Sequence, residues 1–120
     1  MSVQDSILLS VKKLLGTYVD ENVTSFDDDL IIYTNSALAT LRQLGIGPQT
    51  GFTITGEYET WEDLGITDPE MFAMVKPYVA NKVRTMFDPP TSGIVSQSLN
   101  DTLRELEWRL IVTKEIEQGG

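Results

Sequence analysis

A chain of 120 residues makes one domain, residues 1–120, long enough to bury roughly two-thirds of the surface its unfolded form exposes. With 41% hydrophobic and 22% charged residues it has the composition of a folded globule, and with neither cysteine nor histidine it lacks thiol catalysis, disulfides, imidazole acid–base chemistry and the usual zinc or haem ligands. Eighteen acids against nine bases give a net charge of −9, which repels phosphate backbones and argues against binding of free DNA or RNA.

No apolar run approaches the ~20 residues of a membrane span. The N-terminal segment carries its lysines after its apolar residues, where a secretory signal has them before. The expectation is a soluble intracellular product.

Apolar residues recurring at steps of three and four predict an all-α fold, a compact bundle of about four helices. The first spans about residues 3–15, with Ser2 as cap and Asp5 as its acidic partner. Its apolar stripe is Val3, Ile7, Val11, Leu14 and Tyr18, and Gly16 ends it. Lys12 and Lys13 sit in its last turn, where the helix dipole favours positive charge. Residues 17–24 read as a connector. A second helix follows over 26–44, capped by Ser25. Its inner face is Leu30, Tyr33, Thr34, Ala37, Leu41 and Leu44, and Gly45 stops it. The acids of its first turn, Asp27, Asp28 and Asp29, suit free N–H groups at a helix start and lack the spacing of a calcium loop.

Residues 51–61 alternate threonines with apolar residues around glycines. They predict a short β-hairpin or extended loop, with Phe52, Ile54 and Trp61 covering the end of the bundle. Asp68-Pro69 starts a third helix over 69–87, its face built from Phe72, Val75, Val79, Val83 and Met86. Pro77 falls inside it and predicts a kink or break. Lys76, near the inner stripe, reads as a snorkelling stem. After Phe87-Asp88-Pro89-Pro90, a serine, Ser92 or Ser96, opens a last helix over 93–114, and the tail beyond it should fray.

In that last helix Val95, Leu99, Leu103, Leu106 and Leu110 share a sector of roughly 80° at ~100° per residue, and Trp108 points to the opposite side. Tryptophan, tyrosine and methionine are enriched in interface cores. The candidate subunit or partner interface is therefore Trp108 and Val112, Met71, Met74 and Tyr78 on the third helix, and Leu9 and Ile32 on the first two. Phe52 and Ile54 complete it. No phosphate loop, nucleophile elbow or Ser–Lys pair is present. No enzyme is read here, and no cofactor or metal site.

The chain resembles the small head–tail connector, or head completion, proteins of long-tailed phages of Gram-positive bacteria. The resemblance rests on an ordered set. It begins with Asp5 to Leu8, Val11 to Gly16, Phe26-Asp27, Asn35 to Ala37, Leu41, Gln43 to Gly45, Gly47-Pro48, Gly51-Phe52 and Trp61. It continues through Val75-Lys76 and the run Lys82 to Arg84, Phe87 to Pro90 and Glu105 to Leu110. What it implies is an all-helical adaptor subunit in the virion neck, made in the host cytoplasm. Such a subunit forms a homo-oligomeric ring, expected to be a dodecamer, that docks on the portal. It extends the DNA channel and meets the next connector or tail-completion protein. Genomic DNA passes without specific binding, and no membrane is involved. No catalytic residues carry over.

Two other readings of the residues stand beside it. One is a small acidic regulator or inhibitor that binds a protein through the Trp108 face. The other is an enzyme using carboxylates and a divalent ion.

Overall fold

In a computed structural model, described over residues 3–16 and 24–119, the chain folds into four helices: α1 (Ile7–Leu15), α2 (Asp27–Gln43), α3 (Pro69–Phe87) and α4 (Gly93–Gly119). The expected cap Ser2, stripe residue Tyr18 and the connector over 17–23 lie outside the described residues. No strand forms among the described residues; one isolated antiparallel bridge joins Ser6 to Thr60.

That bridge explains why α1 starts four residues later than its periodicity suggests. The Ile7 N–H donates to the Glu59 carbonyl and the Glu62 N–H to the Val3 carbonyl, so residues 3–7 are tied alongside 59–62. Ser6 then takes the capping role expected of Ser2, its Oγ accepting from the Leu9 N–H at 3.2 Å. The buried arc of α1 is also rotated. Leu8 and Leu15 join Ile7 and Val11 inside, while Leu14 is exposed, because α1 is covered on one side by α2 and α3 and on another by residues 59–62.

Ser25 does not cap α2. Phe26 stands at that position with no side-chain cap bond, and the first turn relies on its three aspartates. The far end closes as predicted, in a Schellman motif: Gly45 N–H reaches the Arg42 carbonyl, Ile46 N–H reaches the Leu41 carbonyl, and Gly45 has φ 87°. Ile46, the residue after the glycine, is buried in the core.

The segment 51–61 is the extended loop of the two alternatives. A side chain replaces the missing partner strand: Asn35 accepts from the Ile54 N–H at 2.7 Å and donates to its carbonyl at 3.0 Å. The Thr55 N–H and hydroxyl both donate to the Glu59 carboxylate, at 2.9 and 2.8 Å. With the backbone of Ile54 satisfied, its side chain is buried.

α3 begins as predicted, with Asp68 accepting from the Glu70 N–H and Pro69 in the first turn. It runs unbroken through Pro77. The carbonyl that loses a donor there belongs to Ala73, an exposed residue, where water is at hand as a replacement partner. Of the two serines proposed for α4, Ser92 is the one that caps, its Oγ accepting from the Val95 N–H. α4 ends five residues beyond the expected boundary, so the tail 115–119 continues the helix. Nothing in Glu115-Ile116-Glu117-Gln118 breaks a helix, and no proline intervenes.

One core joins α1, α2, α3, the loop residues Ile46, Ile54, Trp61, Leu64 and Ile66, and the inner stripe of α4. Thr34 on α2 is fully buried and its hydroxyl has no hydrogen-bond partner. Thr34→Val keeps the shape and removes the unsatisfied group, so it is expected to raise stability by about 1 kcal/mol in chemical denaturation.

Candidate contact surface

α3 lies at the middle of the arrangement. α1 and α2 pack against it and against each other, while among the described helices α4 meets α3 alone. Leu99, Leu103 and Leu110 carry that contact and are buried. A polar link reinforces it: the Tyr78 hydroxyl donates to the Glu107 carboxylate at 2.6 Å.

Burial, then the Glu107 carboxylate beside it, push the Tyr78 hydroxyl well above the ordinary phenol range. A raised folded-state pKa contributes stability that is fully present below the unfolded value and declines as pH rises through the range between the two. Tyr78→Phe is therefore expected to cost about 1–2 kcal/mol at neutral pH. The gap between wild type and variant should narrow above pH ~10, where the unfolded tyrosine ionises. Urea titrations at pH 7 and pH 10.5 measure it.

Because α4 has a helix on one side only, its opposite side faces outward. Trp108, Val112 and Ile94 fall about 160° around the helix from the middle of the buried stripe. Trp108 is 65% exposed, Ile116 one face-length further on is 69% exposed, and Ile111 is exposed beside them; Val112 is partly covered. Ile32 stands about 160° from the buried stripe of α2 and is 63% exposed. Leu9 and Phe52 are half-buried.

Four other candidates face inward. Met71, Met74, Tyr78 and Ile54 are buried in the core of this same chain, so the partner face expected on the third helix is not offered there. The reason is that α3 is enclosed by three helices, and residues beside its main stripe are covered as fully as those on it. Conversely, Ile94 and Tyr58, which no expectation named as surface candidates, are exposed, and so is Leu14, expected in the inner stripe of the first helix. Phe26 is also exposed, with its ring edge-on to Phe87 at 5.5 Å.

The described residues include no group of three or more histidine, cysteine, aspartate or glutamate side chains able to hold a metal ion. Of the three aspartates at the start of α2, Asp27 is bound by Lys12 at 2.8 Å. Lys76 lies 5.8 Å from the centre of the Phe72 ring, as a snorkelling stem would, and burial is the main reason its ammonium is held below the usual lysine range. Burial would raise the Glu59 carboxyl, but the hydrogen bonds from Thr55 and neighbouring backbone outweigh it and hold it low. Among the described residues, no helix is long and apolar enough to cross a membrane.

These observations define a small all-α subunit whose longest helix is clad on one side and leaves Ile94, Trp108 and Ile116 exposed among charged residues on the other. The chain belongs to the phage connector protein family, whose sequence model matches residues 7–117. No curated protein and no solved structure matches it. Membership implies a structural connector role in the virion and contact with other virion proteins; the family is structural and generally non-enzymatic.

Proposed function

We propose that the chain is a head–tail connector subunit that assembles head to tail into a ring, twelve copies in its expected form. The ring docks on the portal of the DNA-filled capsid, prolongs the DNA channel and offers the attachment surface for the next connector or the tail. The ordered motifs shared with connectors of phages of Gram-positive hosts extend this reading to the host.

The observation that carries it is the line of apolar residues left exposed on the outward side of α4. A tryptophan 65% exposed and aligned with Val112 and Ile116 is surface of the kind that interfaces bury. Closed rings need two different patches on each subunit, and the exposed residues of α2 and α4 supply them. The exposed acids Glu57, Glu62, Asp63 and Glu70 suit a channel wall along which DNA must slide without sticking. A neck reconstruction with these acids on the outer wall would remove that last element.

Native mass of the protein, alone and mixed with its portal, tests the reading. Wild type should give a ring-sized assembly, at least on the portal. Trp108→Ala should leave the circular dichroism of the helices unchanged and lower the assembled mass. A wild type that stays monomeric with the portal present and instead binds some other protein one to one would favour the regulator reading.

A further inference from the structure

Residues 3–7 and 59–62 meet along one short edge whose two ends are held very differently. At one end the Ile7 N–H reaches the Glu59 carbonyl at 2.9 Å, and Ile7 is fully buried. Ser6 beside it is fixed from α1. Its Oγ caps the Leu9 N–H, and its carbonyl accepts from both the N–H and the hydroxyl of Ser10. At the other end the Glu62 N–H donates to the Val3 carbonyl at 2.6 Å, and Val3 is only partly buried against the core. Residues 59–62 have anchors of their own. Trp61 is fully buried, the Thr60 N–H donates to the Asp63 carboxylate, and the Asp63 N–H donates to the Thr60 hydroxyl. Neither α1 nor 59–62 therefore depends on residues 3–5 for its place.

We infer that residues 3–5 form a strap, hinged at Ser6, that lifts from residues 59–62 while all four helices stay folded, and that Asp5 with Lys76 of α3 fastens it. Lys76 reaches over the Phe72 ring, and Phe72 meets Trp61 edge-on at 5.8 Å, so Lys76 stands beside the segment that the strap crosses. Burial is the main influence holding the Lys76 ammonium low; the Asp5 carboxylate opposes it and Lys13 adds to it, so the three charges share one spot. Asp5 supplies the negative charge that a half-buried lysine next to another lysine needs. Lifting the strap costs the Glu62 N–H its partner and takes Val3 off the core. Seated, it shields the backbone of 59–62 as a short covering segment shields a sheet edge. Unlike the ring reading, this device needs no second copy.

Amide hydrogen exchange on the full chain tests it. In wild type the Glu62 amide should exchange about a hundredfold faster than those of Val79 and Val83, which sit fully buried in α3 and open only with the whole molecule. Asp5→Lys sets a third positive charge beside Lys76 and Lys13 and should speed Glu62 by a further factor of about ten, with Val79 and Val83 unchanged. The Ser10 amide, bonded on the α1 side of the hinge, should also stay as in wild type. Asp5→Lys combined with Lys76→Glu restores opposite signs and should bring the Glu62 rate back to within about threefold of wild type.

A wild-type Glu62 amide that exchanges only as slowly as Val79 and Val83 overturns the strap, since residues 3–5 then open only with the fold. Equal acceleration of Glu62, Val79 and Val83 in Asp5→Lys overturns it too, because the opening is then global. An unchanged Glu62 rate in Asp5→Lys, or no recovery in the double variant, overturns Asp5 and Lys76 as the fastening.

Discussion

Trp61→Ala is expected to lower the free energy of unfolding by about 3–5 kcal/mol, the range for removing a large aromatic from a closed core. Trp61 is fully buried although it lies in a loop. Its indole N–H donates to the Ser10 hydroxyl at 3.2 Å, and that hydroxyl donates to the Ser6 carbonyl at 2.7 Å. Its ring stands edge-on to Phe72 at 5.8 Å between centroids. One side chain therefore ties the loop to α1 and to α3. Alanine leaves a cavity and strands the Ser10 hydroxyl without its donor.

A domain of this size has about 5–15 kcal/mol in total, so the variant should be partly unfolded at 37 °C. Trp61→Phe keeps most of the volume and should lose less, about 1–2 kcal/mol. Chemical denaturation followed by far-ultraviolet circular dichroism reads both. A loss below about 1 kcal/mol for the alanine variant would contradict the account of this loop as part of the core.

Asp27→Ala is the second large effect. Lys12 is almost wholly buried, 1% exposed, and its ammonium holds the Asp27 carboxylate at 2.8 Å. Removing the acid takes the nearest counter-charge from a cation that water barely reaches. Breaking a fully buried pair in this way costs about 3–5 kcal/mol, and because Asp27 is itself a quarter exposed a smaller loss, about 2–3 kcal/mol, is expected here. Lys12→Met with Asp27→Leu replaces the pair by apolar groups of similar length and should restore stability to within about 1 kcal/mol of wild type. If the single variant behaves like wild type, the pair is a surface contact in solution. If the double variant is as unstable as the single, the loss comes from the α2 cap rather than from the buried charge.

The pair shows where reading residues in order stops. Lys12 fits the last turn of an amphipathic helix, and Asp27 fits the first turn of the next, each for good local reasons. That they meet depends on how α1 lies against α2. The same holds for Asn35, an unremarkable polar residue on α2 that turns out to hold the backbone of Ile54 in place of a partner strand.

Candidate surface residues divided along the same line. Trp108 and Ile32 could be placed outside because each helix carries a clear apolar stripe on its opposite side. Met71, Met74 and Tyr78 could not, because a helix packed against three others buries a wider arc than its main stripe, and periodicity does not count neighbours. Ile94 escapes the pattern because it precedes the periodic part of α4, and Leu14 fits the expected stripe of α1 but lies outside because the packed arc runs through Leu8 and Leu15 instead.

What the amino-acid order determined here is everything set within a few turns of chain. That covers four helices, the proline start of α3, the glycine closure of α2, and the Trp108 side of α4 as a face its own stripe does not need. Caps were chosen only in the folded molecule, as the shift from Ser2 to Ser6 shows, since pairing of residues 3–6 with 59–62 decides where α1 can begin. Tertiary structure also decided which apolar residues are left over, because exposure is fixed by how many elements surround a helix, and that number is a property of the packed whole.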